Sequence, residues 1–276
     1  MDILGYCRRL KFGLYRVLSL ILYNLSNYTS KNNHLLNKLK GIHTGQRAFI
    51  ICNGPSLSPA DLDKIEENGD LSFACNKIEN ILSTTIWRPT YYAVFDETYQ
   101  YTLLNVINLI PAKLKFFRKS SYYVTRKATG VKAFVNADGG KKLLDNCKFS
   151  EDVSNVIYTV ATTTYALFQL AVHMGIRELY IIGCDNSYAR EISKDGTIRQ
   201  TGRKSYFSAA DKKEQSTAAS VWQMNLAYEY ARKYADIHGI KIYNATRGGY
   251  LEAFERIDFD SLFLKKNDNN SDSFCI

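Results

Sequence analysis

Arg47-Ala-Phe-Ile-Ile-Cys-Asn-Gly-Pro-Ser-Leu57 is the stretch that decides the fold. Ala48 to Cys52 is short, apolar and bounded by turn residues, so it reads as a buried strand. Asn53-Gly54-Pro55-Ser56 stops it, and Ser58-Pro59-Ala60-Asp61 opens a helix at once. Ser58 suits the N-cap, Pro59 the first helical position, and Asp61 the acidic member of a capping box. A strand, a glycine turn and a capped helix gather backbone N–H groups at a positive helix end, where a phosphate or carboxylate can sit. The same turn also joins strands to helices that hold no ligand.

Downstream, strand-like and helical runs alternate. Leu71 to Asn76, Thr90 to Asp96, Lys113 to Lys119 and Val131 to Val135 read as strands, with Glu97 to Leu109 helical as far as Pro111. Val156 to Val160 leads through Ala161-Thr-Thr-Thr164 into an amphipathic helix from Tyr165 to Met174, with Gly175 as its C-cap. Glu178 to Asp185 is a buried strand ending in an acid, Gln215 to Ile237 a long helix, and Lys241 to Thr246 the last strand. This alternation specifies an α/β, Rossmann-like fold with a mainly parallel sheet flanked by helices. Ligands in such folds bind beyond the carboxyl ends of the strands. Those ends carry Asn53, Asn76, Asp96, Thr162, Thr163, Thr164, Asp185 and Thr246, polar residues from separate parts of the chain.

Residues 3–25 mix Arg8, Arg9, Lys11 and Arg16 with leucine, isoleucine and aromatic residues. The apolar run from Val17 to Tyr23 is too short to span a bilayer, and no small-residue cleavage site follows it. A basic amphipathic helix lying on the inner face of the plasma membrane is expected, the alternative being a helix packed on the domain or on a second subunit. Asn27 to Lys40 reads as a polar, basic linker. The expected organisation is therefore helix and linker over 1–40, a Rossmann-like domain over 41–264 with a polar lid at 186–214, and a disordered tail over 265–276.

The chain has 276 residues, 46% of them hydrophobic, enough for one sizeable core. Seven Lys or Arg against one acid, Asp2, fall in the first forty residues, which is two thirds of the net charge of +9. The rest is only mildly basic, which argues against nucleic-acid binding. The six cysteines show no CxxC pair or metal-ligand spacing, so a reducing, cytoplasmic setting and no bound metal are expected.

Amides and hydroxyls at strand ends suit a nucleotide, and Asp96 and Asp185 suit general bases or metal ligands. No Walker lysine and no G-x-G-x-x-G follows the first strand. The D-x-D pairs Asp61-Leu-Asp63 and Asp258-Phe-Asp260 lie away from strand ends and read as chance. None of His34, His43, His173 and His238 is placed as an obvious base.

Asn53-Gly-Pro-Ser-Leu57, Cys75-Asn76, Trp87-Arg-Pro-Thr-Tyr-Tyr92, Gly183-Cys-Asp185 and Ile242-Tyr-Asn-Ala-Thr-Arg-Gly-Gly249 together carry a resemblance. Over about residues 40–264 the chain resembles the "domain of unknown function 115" group of bacterial surface-polysaccharide proteins. That group is named for the archaeal 6-hydroxymethylpterin pyrophosphokinase and includes motility-associated flagellin glycosylation factors. The motif order is also similar to that of bacterial sialyltransferases that use CMP-activated sugars. This resemblance implies a metal-independent, GT-A-like transferase without cofactor. It gives Asn53, Gly54, Pro55, Ser56, Asn76 and Gly183 to the donor, and Thr162, Thr163 and Thr164 to its phosphate or carboxylate. It gives Tyr188 and Tyr206 to the leaving phosphate. The lid histidine that serves those enzymes as base has no counterpart in Lys204-Ser-Tyr-Phe-Ser208, and their third strand-end Asn is Asp96 here. Proton transfer is therefore expected from Asp185 or Asp96.

The expected activity is transfer of an acidic sugar, sialic-acid-like or Kdo-like, from a CMP donor to a glycan or lipid-linked acceptor in capsule or lipopolysaccharide assembly. The alternatives are a pterin-type diphosphate transfer with ATP and Mg²⁺ on Asp96, Glu97 and Asp185, and a non-catalytic nucleotide-sugar-binding subunit. Homo-oligomerisation stays open.

Overall fold

The structure is a computed structural model, and it describes residues 3–139, 147–207 and 218–264. Helices α1 (Ile3–Leu25) and α2 (Tyr28–Leu39) come first, then strand β1 (Arg47–Ile51), helix α3 (Pro59–Glu67) and strand β2 (Leu71–Cys75). Strand β3 (Tyr91–Ala93), helices α4 (Glu97–Thr102) and α5 (Leu104–Asn108), strand β4 (Leu114–Arg118), helix α6 (Tyr122–Thr125) and strand β5 (Lys132–Val135) follow. A small parallel pair, β6 (Ala137–Asp138) and β7 (Ile157–Tyr158), precedes helix α7 (Thr163–His173) and strand β8 (Glu178–Ile182). A hairpin of β9 (Arg190–Ile192) and β10 (Ile198–Gln200), helix α8 (Val221–Ile237), and strands β11 (Lys241–Asn244) and β12 (Glu255–Arg256) complete the fold.

Eight strands form one sheet in the order β12-β11-β8-β1-β2-β3-β4-β5, every pair of neighbours parallel. The α/β, Rossmann-like expectation holds. From β1 the chain builds outward to β5 on one side, then returns to lay β8 on the other. The switch point, where the connections before and after diverge, therefore lies between β1 and β8.

Alternation along β1 shows why its apolar run is continuous. Ala48, Ile50 and Cys52 join the core under α7 and α8, while Phe49 and Ile51 join the core under α3 and α1. A parallel strand covered on both faces needs apolar residues at every position. Helix α7 is buried along nearly its whole length. Its Gln169 is fully buried, accepting from Ser150 and Tyr158 amides at 3.1 and 3.0 Å and donating to the Tyr158 carbonyl at 2.8 Å.

Several local expectations need correction. Asn27–Lys40 is mostly helix α2, not linker, and it covers the β5 edge of the sheet. The buried Asn32 side chain donates to the Phe134 carbonyl at 2.9 Å and accepts from the Phe134 amide at 2.7 Å, pairing that edge as another strand would. Ser58 has N-cap backbone geometry but makes no capping bond, and Asp61 instead takes Arg247 in a two-pronged pair at 2.9 Å. The helix expected over 97–109 breaks at Leu103 into α4 and α5. The expected lid contains the β9–β10 hairpin. Its residues 208–214, and the tail 265–276, lie outside the described residues.

No helix among the described residues is long and apolar enough to cross a membrane.

Candidate active site

The ladder between β1 and β8 runs on past both strands: the Cys52 amide donates to Ile182 at 2.9 Å and the Gly54 amide to Gly183 at 2.7 Å. Gly183 has φ +65°, and a Cβ there would lie 2.8 Å from the Cys52 carbonyl oxygen, so only glycine fits this crossing. Asp185 then folds back over the first turn. Its Oδ2 accepts the Ser56 amide at 3.1 Å and the Ser56 hydroxyl at 2.8 Å. A Cβ on Gly54 would stand 2.0 Å from that same oxygen. The anion cradle expected of Gly54-Pro55-Ser56 is thus filled by the chain's own carboxylate. From behind, the Tyr250 amide holds the Asp185 carbonyl at 2.7 Å, and a Cβ on Gly249 would stand 2.7 Å from the Asp185 Cα.

Beside this contact lies a cavity of about 80 Å³ lined by Cys52, Asn53, Gly54, Asn76, Gly183, Cys184, Asp185, Asn186, Ser187, Tyr188, Ser205 and Tyr206. Asn53 donates to the Cys75 carbonyl at 3.0 Å, which points its amide across to the next strand end. Asn76 has φ +52°, a left-handed conformation that asparagine tolerates, and its carbonyl accepts the Tyr92 hydroxyl at 2.7 Å. The side-chain oxygens of Asn53 and Asn76 are both buried and have no hydrogen-bond donor among the described residues. Such an acceptor costs about 1–3 kcal/mol unless something donates to it. Two of them in one cavity favour a ligand rich in N–H or O–H groups.

The floor is made of thiols and hydroxyls. Cys52 Sγ lies 3.4 Å from Thr164 Oγ1, Cys184 Sγ 3.4 Å from the Tyr228 hydroxyl, and Thr162 Oγ1 3.5 Å from that hydroxyl. Hydrogen bonding between the two thiols, with burial, holds the Cys52 proton well above the usual thiol range, while the same bond lowers Cys184 against its burial. Over the roof, the Phe207 amide donates to the Asn53 carbonyl at 3.1 Å and the Ala189 amide to the Ser205 hydroxyl at 2.9 Å. The Lys77 ammonium sits 5.2 Å above the Tyr206 ring. Burial pushes the Tyr188 hydroxyl well above its ordinary value, with Tyr206 adding to the shift, which makes it a weaker acid than a free tyrosine.

Asn53, Gly54, Asn76, Gly183, Asp185, Tyr188 and Tyr206 therefore meet as expected, although they come from four parts of the chain. Pro55 and Ser56 stand just outside, on the turn. Thr162 and Thr164 lie beneath the floor, Thr162 also capping α7 through the Thr164 amide, and Thr163 does not line the cavity. Asp96 is a correction. It is exposed, is not among the residues that line the cavity, and its carboxylate caps α4 by accepting the Tyr99 amide at 3.0 Å. Its neighbour Glu97 pairs with Arg16.

Asp96, Glu97 and Asp185 thus have separate tasks, and no group of three His, Cys, Asp or Glu among the described residues could hold a metal ion. These residues do not fit a shared Mg²⁺ site. Both D-x-D pairs are engaged elsewhere: Asp61 with Arg247, Asp63 with the Ile86 amide, Asp258 with the Ser261 amide and Asp260 with Lys64. His173 is buried between main-chain carbonyls of Leu36 and Glu151. His43 touches Tyr91, and burial lowers its pKa.

Asn186, Ser187, Ser205, Cys52 and Cys184 also line the cavity. Asn186 and Ser187 directly follow Gly183-Cys-Asp185 and Ser205 precedes Tyr206, so adjacency to the singled-out residues was the available signal. Asn186, with φ +52°, donates to Asn225 of α8 at 2.6 Å and so ties the cavity to that helix.

A comparison with curated proteins returns no match. Among solved structures the fold is similar to that of the MAf glycosyltransferase from Magnetospirillum magneticum AMB-1, with a TM-score of 0.51 and 16% sequence identity. The similarity covers 87% of this chain and 40% of that one, so the chain spans about two fifths of that protein's length. At this identity the likeness is one of fold. The model of the 6-hydroxymethylpterin diphosphokinase MptE-like family matches residues 19–191, more than half of the sequence, and the chain belongs to that family.

Proposed function

We propose that the cavity at the β1–β8 switch point binds a nucleotide-activated sugar, and that the protein transfers an acidic sugar from a CMP donor to a glycan or lipid-linked acceptor of capsule or lipopolysaccharide assembly. The observation that carries this reading is the pair of buried, unsatisfied Asn53 and Asn76 oxygens in one cavity. Cytosine's exocyclic amine and the ribose hydroxyls are donors of the kind these acceptors lack. Similarity in fold to a glycosyltransferase is consistent with it.

In the proposed reaction an acceptor hydroxyl oxygen bonds to the anomeric carbon and the bond from that carbon to the phosphate oxygen breaks. CMP leaves with the electron pair, and the hydroxyl proton passes to a base. Asp185 is the carboxylate on the cavity wall, so we assign it the proton, in place of the missing lid histidine. Tyr188, held protonated by burial, donates to the departing phosphate with Tyr206 beside it.

A cavity of about 80 Å³ is smaller than the roughly 300–1,000 Å³ of ordinary ligand sites. Donor entry therefore requires residues 204–207 to lift, breaking the Phe207–Asn53 bond.

Hydrolysis of a panel of CMP- and UDP-sugars, each with and without EDTA, tests the proposal. The expected result is EDTA-insensitive turnover of a CMP donor. Turnover of ATP that EDTA abolishes, with every sugar nucleotide left intact, would replace it by the diphosphate transfer for which the family is named. Binding of CMP without turnover would leave a nucleotide-sugar-binding subunit.

A further inference from the structure

We propose that an exposed apolar stripe on α1 docks the protein on an anionic lipid surface, with the strand-end side of the sheet held relative to that surface. The inference goes beyond the donor chemistry and does not depend on it.

Helix α1 has two apolar faces. One is packed on the domain: Phe12 stacks on Tyr101 at 4.9 Å, Tyr15 lies 5.3 Å from Tyr101 and 5.5 Å from Tyr123, and Tyr23 meets Tyr122 edge-on at 5.3 Å. The buried Ser19 hydroxyl accepts the Tyr123 amide at 3.0 Å. The opposite face carries Leu10, Leu14, Val17, Ile21 and Leu25, spaced four, three, four and four residues apart, each about half exposed or more. At 1.5 Å per residue this stripe is about 22 Å long. Leu20 widens it. A helix already paired with its own domain has no internal use for a second apolar face.

Charge selects the occupant. Residues 3–25 contain Arg8, Arg9, Lys11 and Arg16 and no acid. Beside α1, Lys119 sits over the Tyr23 ring, and the exposed Arg126 over Tyr123, next to exposed Lys127. The described acid that pairs with α1 is Glu97, on Arg16. An apolar stripe on a segment that carries four cations and no acid matches the boundary between acyl chains and anionic headgroups. A second copy matches less well, because two such helices would bring like charges together with no Asp or Glu to pair them.

The docking has a consequence for the site. Arg16–Glu97 and the Phe12–Tyr101 stack join α1 to α4, which begins immediately after β3 on the strand-end side of the sheet. A membrane-bound α1 therefore holds the strand-end face at a fixed height, as a lipid-linked acceptor would need.

The test is co-sedimentation of the full chain with vesicles of phosphatidylcholine alone and with about one third phosphatidylglycerol. Binding is expected to be at least about tenfold stronger to the anionic vesicles and to weaken with salt. Leu14→Glu with Ile21→Glu, at positions 58% and 49% exposed, should lower it about tenfold or more while circular dichroism and thermal unfolding are unchanged. Equal binding to both vesicle types, or unchanged binding of the double variant, would overturn the inference. So would light scattering that shows a dimer which the double variant dissociates.

Discussion

Ser56 gives both its amide and its hydroxyl to one oxygen of Asp185, across 129 residues of sequence. The contact closes the first glycine turn against the end of β8 and fills the position where a bound anion was expected. Hydrogen bonds to a charged acceptor contribute about 1.5–3 kcal/mol each. Ser56→Ala should therefore lower unfolding stability by about that amount in urea titration, and leave the Ser56 amide to hold Asp185. If Asp185 takes the acceptor proton, Asp185→Asn should cut donor transfer by about 100-fold or more with CMP binding retained. Equal transfer by Asp185→Asn and the native protein would remove Asp185 from the reaction.

Gly54 has no room for a methyl group. Its Cβ would meet Asp185 Oδ2 at 2.0 Å and the Gly183 carbonyl oxygen at 2.6 Å, and that second neighbour is backbone. Gly54→Ala should cost about 1–3 kcal/mol in chemical denaturation and abolish CMP binding through displacement of the β1–β8 crossing. A variant of native stability would show that the turn yields.

Asn76→Gly removes one unsatisfied buried oxygen, keeps the left-handed backbone without a Cβ penalty and, on the proposed reading, loses one donor contact. We expect CMP affinity to fall about tenfold by calorimetry, with folding stability unchanged or slightly raised, because no partner inside the protein is lost. Asn53→Ala should weaken CMP similarly but also destabilise the fold by about 1 kcal/mol, since its bond to Cys75 goes. The two variants thus separate ligand contact from architecture.

Alkali should unfold this protein sharply. Burial raises Tyr23, Tyr91 and Tyr101 to about 12, and Tyr92, Tyr188 and Tyr228 well above their ordinary value. A phenol whose folded pKa exceeds its unfolded one favours the fold fully below the unfolded value near 10, and that contribution is lost as pH rises through the folded value. Stability should hold to about pH 10 and fall steeply towards pH 12. Phenolate absorbance from these rings should appear together with loss of circular dichroism. Smooth titration of all 20 tyrosines near pH 10 in a still folded protein would contradict the burial described.

Asn32 pairs the Phe134 backbone at the sheet edge, next to Tyr28, whose hydroxyl donates to the Lys132 carbonyl at 2.6 Å. Asn32→Leu would strand the Phe134 amide and carbonyl, which it now pairs, at about 1–3 kcal/mol for each group left unsatisfied. The expected readouts are lower stability and a rise in self-association at high protein concentration, because an unpaired edge strand templates another.

The main strands, the parallel sheet and the strand ends where the cavity lies were legible in the amino-acid sequence, while α2, α6 and the β9–β10 hairpin were not. Continuous apolar runs such as Ala48 to Ile51 can only be strands covered on both faces, and parallel connection forces their carboxyl ends to one side. Thus Asn53, Asn76 and Asp185 were legible as neighbours. Tertiary structure decided what those neighbours do. No local signal says that Asp185 returns to Ser56 or that Asp61 leaves a capping role for Arg247 186 residues away, whereas Asp96, directly before the helix at Glu97, was as legible for the cap it makes as for the cavity. Helix α2 was missed for a related reason: its buried residues Asn32, Leu36 and Leu39 keep helical spacing, but the first is polar and is buried only because the Phe134 backbone satisfies it. Periodicity records what a segment does with its own neighbours, whereas hydrogen bonds between distant residues exist only after the sheet has brought them together.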